Sequence, residues 1–335
     1  MNALAKIQEW HDVDANQFHN EIAPLNQPAV LRSLVSNWPM VAAAAKSDHE
    51  TAEYLKSFDT NNPLYTIVGQ PDINGRFFYS DDLSGTNFQR TQATLTTVLD
   101  NLLALRGSRN PHAIAIQATP IRDALPGFDQ HNTLPLLPES VAPSLWLGNK
   151  AAVAPHFDVH DNVACVVAGK RTFTLFPPDQ IANLYVGPTL NAPGGVPISM
   201  VDLKQPDLER FPKFTEAIAV AQQATLYPGD AIFIPTPWWH AVESLEKINV
   251  LVNYWWGRLT ESTLSPNHSL LHGMLTIAKL NHAQRESWRH FFDYFVFRTS
   301  GDPTAHLPPD LDDIVTNLTP EQRSSVYALL KDRLE

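Results

Sequence analysis

The feature that most constrains the fold is the stretch from Ala154 to Pro178, which reads APHFDVHDNVACVVAGKRTFTLFPP. His156 and Asp158 lie two residues apart at the start of an apolar run of β type. Because side chains alternate faces along a strand, positions i and i+2 point the same way and can bind one ion together. The pair therefore predicts that His156 and Asp158 supply two ligands to one metal ion at the open end of a β structure. We call this pair the metal clip.

A third ligand is offered by the segment from Pro228 to His240, which combines a Pro-Gly-Asp turn, a short apolar strand and a histidine. The chain has 13 histidines, so a close pair such as His156 and Asp158 is not diagnostic by itself. The apolar run that follows the pair strengthens the prediction of a metal site, because burial of a carboxylate costs free energy unless the carboxylate is paired or bound to a metal. Two histidines and one carboxylate leave coordination positions open, which suits non-haem Fe(II) that activates O2.

Length and charge limit the class of protein. At 335 residues the chain can bury a full core, and we expect one barrel of catalytic size with helical additions. A net charge of -11 argues against a nucleic-acid partner.

The only cysteine, Cys165, can form no internal disulfide, which fits a reducing compartment. No window approaches the roughly 18 apolar residues of a membrane span, so we expect no membrane partner and a soluble, cytoplasmic protein.

Short apolar segments separated by Gly and Pro turns predict a mainly β fold with appended α elements. We expect a double-stranded β-helix of the jelly-roll (cupin) type, flanked by N-terminal and C-terminal helices. Residues 1–120 would form an α/β region that packs on and extends the barrel. Residues 121–260 would form the catalytic barrel core, with a helical insert at about 181–223, and residues 261–335 a helical region.

Two local patterns refine this plan. Asn74-Gly75 before an aromatic run predicts a β-hairpin turn. The stretch from Asp207 to Gln222 predicts one amphipathic helix within the insert.

An ordinary cupin barrel offers a comparison for the metal clip. Its first motif has His-x-His followed by a Glu ligand, whereas here Asp158 replaces the second His and Asn162 stands where the Glu would be. An amide is a poor metal ligand but a good hydrogen-bond donor to a carboxylate. Fewer protein ligands leave more open positions, as expected if an organic cosubstrate chelates the iron.

The chain resembles the JmjC-related, cupin-like family of Fe(II)/2-oxoglutarate-dependent oxygenases, in the branch that includes the asparaginyl hydroxylase inhibiting the hypoxia-inducible factor. The motifs that carry this resemblance lie between about residues 145 and 257: His156-Phe157-Asp158, Asn162, Gly169-Lys170-Arg171, Phe176-Pro177-Pro178, Pro228-Gly229-Asp230, His240 and Val252-Asn253-Tyr254-Trp255-Trp256. Weaker matches resemble a bacterial group of cupin-like proteins: Val30-Leu31-Arg32, the run from Phe77 to Asp82, and Leu125-Pro126-Gly127-Phe128.

The resemblance implies a catalytic metal site and its cosubstrates. His156, Asp158 and His240 would bind Fe(II), and 2-oxoglutarate and O2 would take the open positions. The family couples the decarboxylation of 2-oxoglutarate to succinate with the hydroxylation of a substrate.

The resemblance also implies residues that bind 2-oxoglutarate. Asn162 and Asn253 would form hydrogen bonds near it, and its 5-carboxylate would pair with Arg171 or with the adjacent Lys170. The family usually has Lys at the position of Arg171, but an arginine is always charged and can bind a carboxylate through two hydrogen bonds.

Two positions depart from the family pattern. Many relatives have a hydroxyl residue where this chain has Val153, and a Tyr near the cosubstrate where Ala115 falls. Both changes remove hydrogen bonds to 2-oxoglutarate, and Gln117 and Thr119 are candidates to replace them.

We therefore expect a 2-oxoglutarate-dependent dioxygenase that hydroxylates a protein side chain or a small molecule, with succinate and CO2 as co-products. The alternatives are a metal-dependent cupin enzyme that does not use 2-oxoglutarate, and a non-catalytic cupin-like binding module.

The tryptophans near His240 and in the last barrel strand are interpreted as core residues or as substrate contacts: Trp238, Trp239, Trp255 and Trp256. The apolar faces of the C-terminal helices would cap the barrel or, as we favour, form a homodimer.

Overall fold

The computed structural model describes residues 4–189, 192–257, 265–308 and 318–332. The chain divides into two compact units, Met1–Glu261 and Ser262–Glu335. All strands of the described residues lie in the first unit. Among the described helices, none combines the length and the apolar character needed to cross a bilayer.

The strands of the first unit are, in chain order, β1 (Ala5–Lys6), β2 (Gln8–His11), β3 (Ala29–Arg32), β4 (Leu64–Gly69), β5 (Arg76–Phe77), β6 (Phe88–Ala93), β7 (Ala113–Pro120), β8 (Pro143–Gly148), β9 (Ala151–His156), β10 (Asp161–Ala168), β11 (Arg171–Phe176), β12 (Gln222–Leu226), β13 (Ala231–Ile234), β14 (Trp239–Ser244) and β15 (Asn249–Trp256). Its described α-helices are α1 (Ala15–Gln17), α2 (Pro39–Lys46), α3 (Asp48–Lys56), α4 (Leu95–Leu105), α5 (Ile121–Ala124), α6 (Phe128–His131) and α7 (Phe214–Ala219). The second unit contains α8 (Pro266–Leu275), α9 (His282–Phe295) and α10 (Pro320–Asp332).

Two sheets form the barrel. The six-stranded sheet has the order β1-β12-β11-β14-β9-β5, and the nine-stranded sheet has the order β2-β3-β13-β10-β15-β8-β7-β4-β6. Strands β9, β14, β11 and β12 pair antiparallel, as do β13, β10, β15 and β8. The predicted mainly β jelly-roll fold with added helices is confirmed.

Strand β10 shows how the nine-stranded sheet separates two cores. Ala164 and Val166 face the barrel interior, where they pack with Phe173 of the opposite sheet. The intervening Val163 and Cys165 belong to the other core, which contains residues of α2, α3 and α4. A strand buried on both faces is apolar throughout, which explains the uninterrupted apolar run in the sequence.

Asp230 connects the turn before β13 to strand β3. Its carboxylate accepts hydrogen bonds from Arg32 Nη1 at 2.7 Å and from the backbone nitrogens of Ser33 at 3.0 Å and Tyr227 at 3.1 Å. Asp230 is buried, and Arg32 also pairs with Glu9 at 2.6 Å. Asp230 therefore stabilises the edge of the barrel that precedes His240.

One local prediction was wrong, and another was correct only in part. Asn74 and Gly75 do not join a hairpin, because β5 pairs in parallel with β9 while β4 pairs with β6 and β7. The helix predicted from Asp207 to Gln222 is present only as α7, and β12 already begins at Gln222. The rest of the described insert is loop apart from the end of a 3-10 helix over Pro178–Asn183.

Candidate active site

Three side chains with metal-binding atoms converge at one end of the barrel. Strands β9 and β14 are antiparallel neighbours whose register places His156 opposite His240, with 4.2 Å between the ring centroids. Asp158 follows β9, and its Oδ2 lies 3.6 Å from Nε2 of His240. One ligand atom from each of the three residues lies within 4.8 Å of the others. The structure thus brings the three predicted ligands together.

Both imidazoles are oriented by backbone carbonyls. Nδ1 of His156 lies 2.9 Å from the carbonyl oxygen of Ala154, and Nδ1 of His240 lies 3.2 Å from that of Trp238. Donation from Nδ1 leaves the lone pair of each Nε2 for a metal. Burial, together with the nearby His156, lowers the pKa of His240 and favours the neutral ring that metals bind. This donor set fits Fe(II) and similar divalent metals.

Trp255 contributes a contact to the metal clip that was not predicted. Its indole Nε1 donates a hydrogen bond to Oδ2 of Asp158 at 3.1 Å. The backbone oxygen of Asp158 accepts a second bond from Oγ1 of Thr236 at 2.8 Å. Such contacts behind a ligand fix its orientation, so Trp255 and Thr236 position the carboxylate. The sequence signals were the place of Trp255 in the motif from Val252 to Trp256 and its interpretation as a core residue or substrate contact, and neither indicated a hydrogen bond to Asp158.

A cavity of about 340 Å³ opens beside the three ligands. Its walls carry residues from the inward-facing positions of both sheets, because alternate residues of each strand face the interior. Four residues predicted to bind 2-oxoglutarate line it: Gln117, Asn162, Arg171 and Asn253. Gln117 reaches the cavity at a register shift between β7 and β8.

Arg171 is a buried cation that forms no ion pair with the described residues. The residue is 8% exposed, and its Nε has no hydrogen-bond partner among them. Burial lowers the pKa of Arg171 to about 10, and no carboxylate of the described residues opposes that effect. A buried charge of this kind is costly unless it is paired. The position therefore suits an anionic ligand in the cavity.

The two asparagines form one polar network with a tryptophan. Nδ2 of Asn253 donates to Oδ1 of Asn162 at 3.1 Å, and Nε1 of Trp146 donates to Oδ1 of Asn253 at 2.8 Å. Both asparagines are buried. The network fixes the orientation of the Asn253 amide.

Two other predicted residues do not line the cavity. Lys170 points elsewhere, with its Nζ 3.8 Å from a carboxylate oxygen of Glu246. Thr119 forms a hydrogen bond to the backbone oxygen of Gln117 at 3.4 Å. Of the two departures from the family pattern, Val153 lines the cavity, whereas Ala115 packs in an apolar cluster beside it.

The other tryptophans pack mainly in the core. Trp238 and Trp239 are buried, and Trp256 stacks on Phe233 with the ring centroids 6.0 Å apart. Trp255 and Trp146 line the cavity, and their rings meet edge to face at 5.8 Å.

Comparison with known proteins gives a family for this architecture. Residues 15–262, which are more than half of the chain, match the family model described as Cupin-like domain. This range contains all three candidate metal ligands.

Several of the curated relatives carry JmjC names. Lysine-specific demethylase JMJ31 of Arabidopsis thaliana is 35% identical over 114 residues, which cover 34% of this chain and 20% of that protein. JmjC domain-containing protein D of Dictyostelium discoideum is 27% identical over 247 residues, 69% of this chain and 52% of that protein. The human bifunctional peptidase and (3S)-lysyl hydroxylase JMJD7 is 24% identical over 272 residues, 71% of this chain and 80% of that protein. The chain thus spans about a fifth of the length of JMJ31 and about half that of protein D.

Proposed function

The chain belongs to the cupin-like (JmjC) oxygenase family, and from this premise we propose that it is an Fe(II)- and 2-oxoglutarate-dependent hydroxylase. Its substrate would be a protein side chain or a small molecule, and the co-products would be succinate and CO2. One observation carries the proposal: two histidines and a carboxylate converge within 4.8 Å at a cavity that is also lined by a buried arginine with no ion pair among the described residues. The relatives named as a lysyl hydroxylase and as a lysine demethylase support the reaction class.

The residues have separate roles in this reaction. His156, Asp158 and His240 would hold Fe(II) on one face. When bound, the iron and 2-oxoglutarate supply O2 activation and the two electrons that accompany decarboxylation. Arg171 would pair with the distal carboxylate of 2-oxoglutarate, and its guanidinium is already buried in the cavity wall.

The amide and indole groups would orient the bound groups. Asn162 and Asn253 present amides to the cavity, and Trp146 holds the second of these in place. Trp255 keeps the Asp158 carboxylate directed at the metal position through its hydrogen bond. The apolar walls exclude water from the reacting groups.

A metal-dependent cupin enzyme that does not use 2-oxoglutarate is the second candidate. It is favoured by Val153, which places an aliphatic side chain in the cavity wall where many relatives have a hydroxyl. Succinate formation separates the candidates. We expect the Fe(II)-reconstituted chain to release succinate slowly from 2-oxoglutarate even without a prime substrate, and His240→Ala to abolish this release. Absence of succinate in the wild type, with metal bound, would favour the second candidate.

We also propose that the second unit forms a homodimer. Helix α9 exposes a group of large apolar side chains: Trp288, Phe291, Tyr294 and Phe295. Exposed apolar patches of this kind are typical of interaction sites. Sedimentation equilibrium should give twice the chain mass, and Phe291→Glu should reduce it to the monomer mass. A monomeric wild type would contradict the proposal.

A cytoplasmic location stays a prediction.

A further inference from the structure

We infer that the substrate group entering this cavity is uncharged and largely apolar, and that it is not a lysine side chain. The inference rests on the proposed function and concerns the same site. It depends on the charges and the wall chemistry of the cavity in this chain, and it separates the chain from relatives whose names specify lysine.

Among the described lining residues, the cavity has no carboxylate besides the metal ligand Asp158 that could pair with a cationic substrate. Apart from the two histidine ligands, its charged lining residues in the described chain are Asp158 and Arg171. With the site filled, the charges of Fe(II) and Arg171 balance those of Asp158 and the two carboxylates of 2-oxoglutarate. A lysine ammonium would therefore enter a neutral site without a counter-ion, which is strongly unfavourable in apolar surroundings.

The charges near the entrance also disfavour a cation. Arg90 is exposed, and its Nη2 donates to the carbonyl oxygen of Pro193, a residue that lines the cavity. Asp161 follows the metal clip closely, but its Oδ1 accepts a hydrogen bond from the backbone nitrogen of Thr236 at 3.0 Å and the residue does not line the cavity. A positive charge thus lies next to one cavity-lining residue, while Asp161, the acidic residue that follows Asp158 in sequence, does not line the cavity.

Apart from the metal ligands and the polar residues Gln117, Asn162, Arg171 and Asn253, the described lining of the cavity is apolar or aromatic. Phe77 and Phe88 meet edge to face at 5.3 Å, and Val196 and Ile198 of the loop before α7 line the same cavity. Burial of hydrocarbon against such a wall is favourable in proportion to its area. The wall therefore selects an aliphatic or aromatic group.

Two matched probes test this inference: N-acetyl-norleucine methylamide and N-acetyl-lysine methylamide, which share a four-carbon chain and differ in the terminal ammonium. Their affinities for the full chain, loaded with Zn(II) and 2-oxoglutarate to prevent turnover, can be measured by ligand-observed NMR titration. We expect the norleucine probe to bind about tenfold more tightly or better. Equal or tighter binding of the lysine probe, or no binding of the norleucine probe, would overturn the inference.

A variant that adds a carboxylate to the wall provides the reverse test. Val196→Asp should raise the affinity of the lysine probe about fivefold or more and weaken the norleucine probe. Val220→Asp is the matched control, because Val220 is exposed and does not line the cavity. If the ratio of the two probe affinities in Val196→Asp equals the ratio in the wild type, the probes do not bind in this cavity and the inference fails.

The proposed function can be judged separately on the same protein. Formation of the Fe(II)/2-oxoglutarate complex does not depend on either probe. If the chain forms the Fe(II)/2-oxoglutarate complex but binds the lysine probe more tightly than the norleucine probe, the inferred substrate class is refuted and the proposed function is not.

Discussion

Replacement of Arg171 by Met gives the sharpest test of how the cavity binds its cosubstrate. Methionine approximates the length of the arginine stem but removes the charge and the five N–H donors. Arg171 is 8% exposed and has no ion pair among the described residues, so its charge is free for a ligand. Hydrogen bonds to charged groups contribute about 1.5–3 kcal/mol each, and a bidentate contact contributes more than one such bond. We expect Arg171→Met to weaken 2-oxoglutarate binding by about 2–4 kcal/mol, which is about 30- to 1,000-fold in Kd.

The same variant should not destabilise the ligand-free fold. Burial lowers the pKa of Arg171 to about 10, so the folded chain disfavours the charged form relative to the unfolded chain. This cost is present at every pH below the folded pKa, so it applies in full at neutral pH. At neutral pH the free energy of unfolding of Arg171→Met without ligand should therefore equal or exceed that of the wild type.

Calorimetric titration of 2-oxoglutarate into the Zn(II)-loaded chain and urea unfolding of the ligand-free chain measure the two effects. Lys170→Met is the matched control, because it removes a neighbouring cation that pairs with Glu246 outside the cavity. Its 2-oxoglutarate affinity should stay within about twofold of the wild type. Retained affinity in Arg171→Met, or a large loss in Lys170→Met, would refute the reasoning.

Two further predictions address the metal ligands and the barrel edge. Trp255→Phe removes the hydrogen bond to Asp158 and should lower metal affinity about tenfold in a chelator-competition titration; Trp256→Phe, which alters a ring stacked on Phe233, is the control and should not. Asp230→Ala removes the acceptor of the backbone nitrogens of Ser33 and Tyr227 and one of the two carboxylate partners of Arg32, and it should lower the free energy of unfolding by about 2–4 kcal/mol in urea. A loss below about 1 kcal/mol would contradict the contribution that we assign to this carboxylate.

The sequence predicted the parts of the site that depend on short-range spacing. His156 and Asp158 are separated by one residue, and the turn-strand-histidine unit ending at His240 can be read directly from the residues. The family resemblance, not spacing, indicated Asn162, Arg171 and Asn253, which the structure places on inward-facing positions of β10, β11 and β15.

The contacts that depend on strand register could not be predicted. Trp255 meets Asp158, and Trp146 meets Asn253, across elements that are distant in sequence. The Asn74-Gly75 prediction failed for a related reason. Gly75 has a φ of 77°, and a Cβ at this position would come within 2.5 Å of the carbonyl oxygen of Lys150, so the glycine allows a close approach to the strand β9 region rather than a hairpin.

Anaerobic titration of the full chain with Fe(II) and 2-oxoglutarate tests the central claim most directly, because a bidentate 2-oxoglutarate chelate on Fe(II) gives a weak visible charge-transfer band. We predict that the band forms in the wild type and is absent in Asp158→Ala, which lacks one of the three ligands. A wild type that binds Fe(II) without the band, or an Asp158→Ala variant that retains it, would contradict the account.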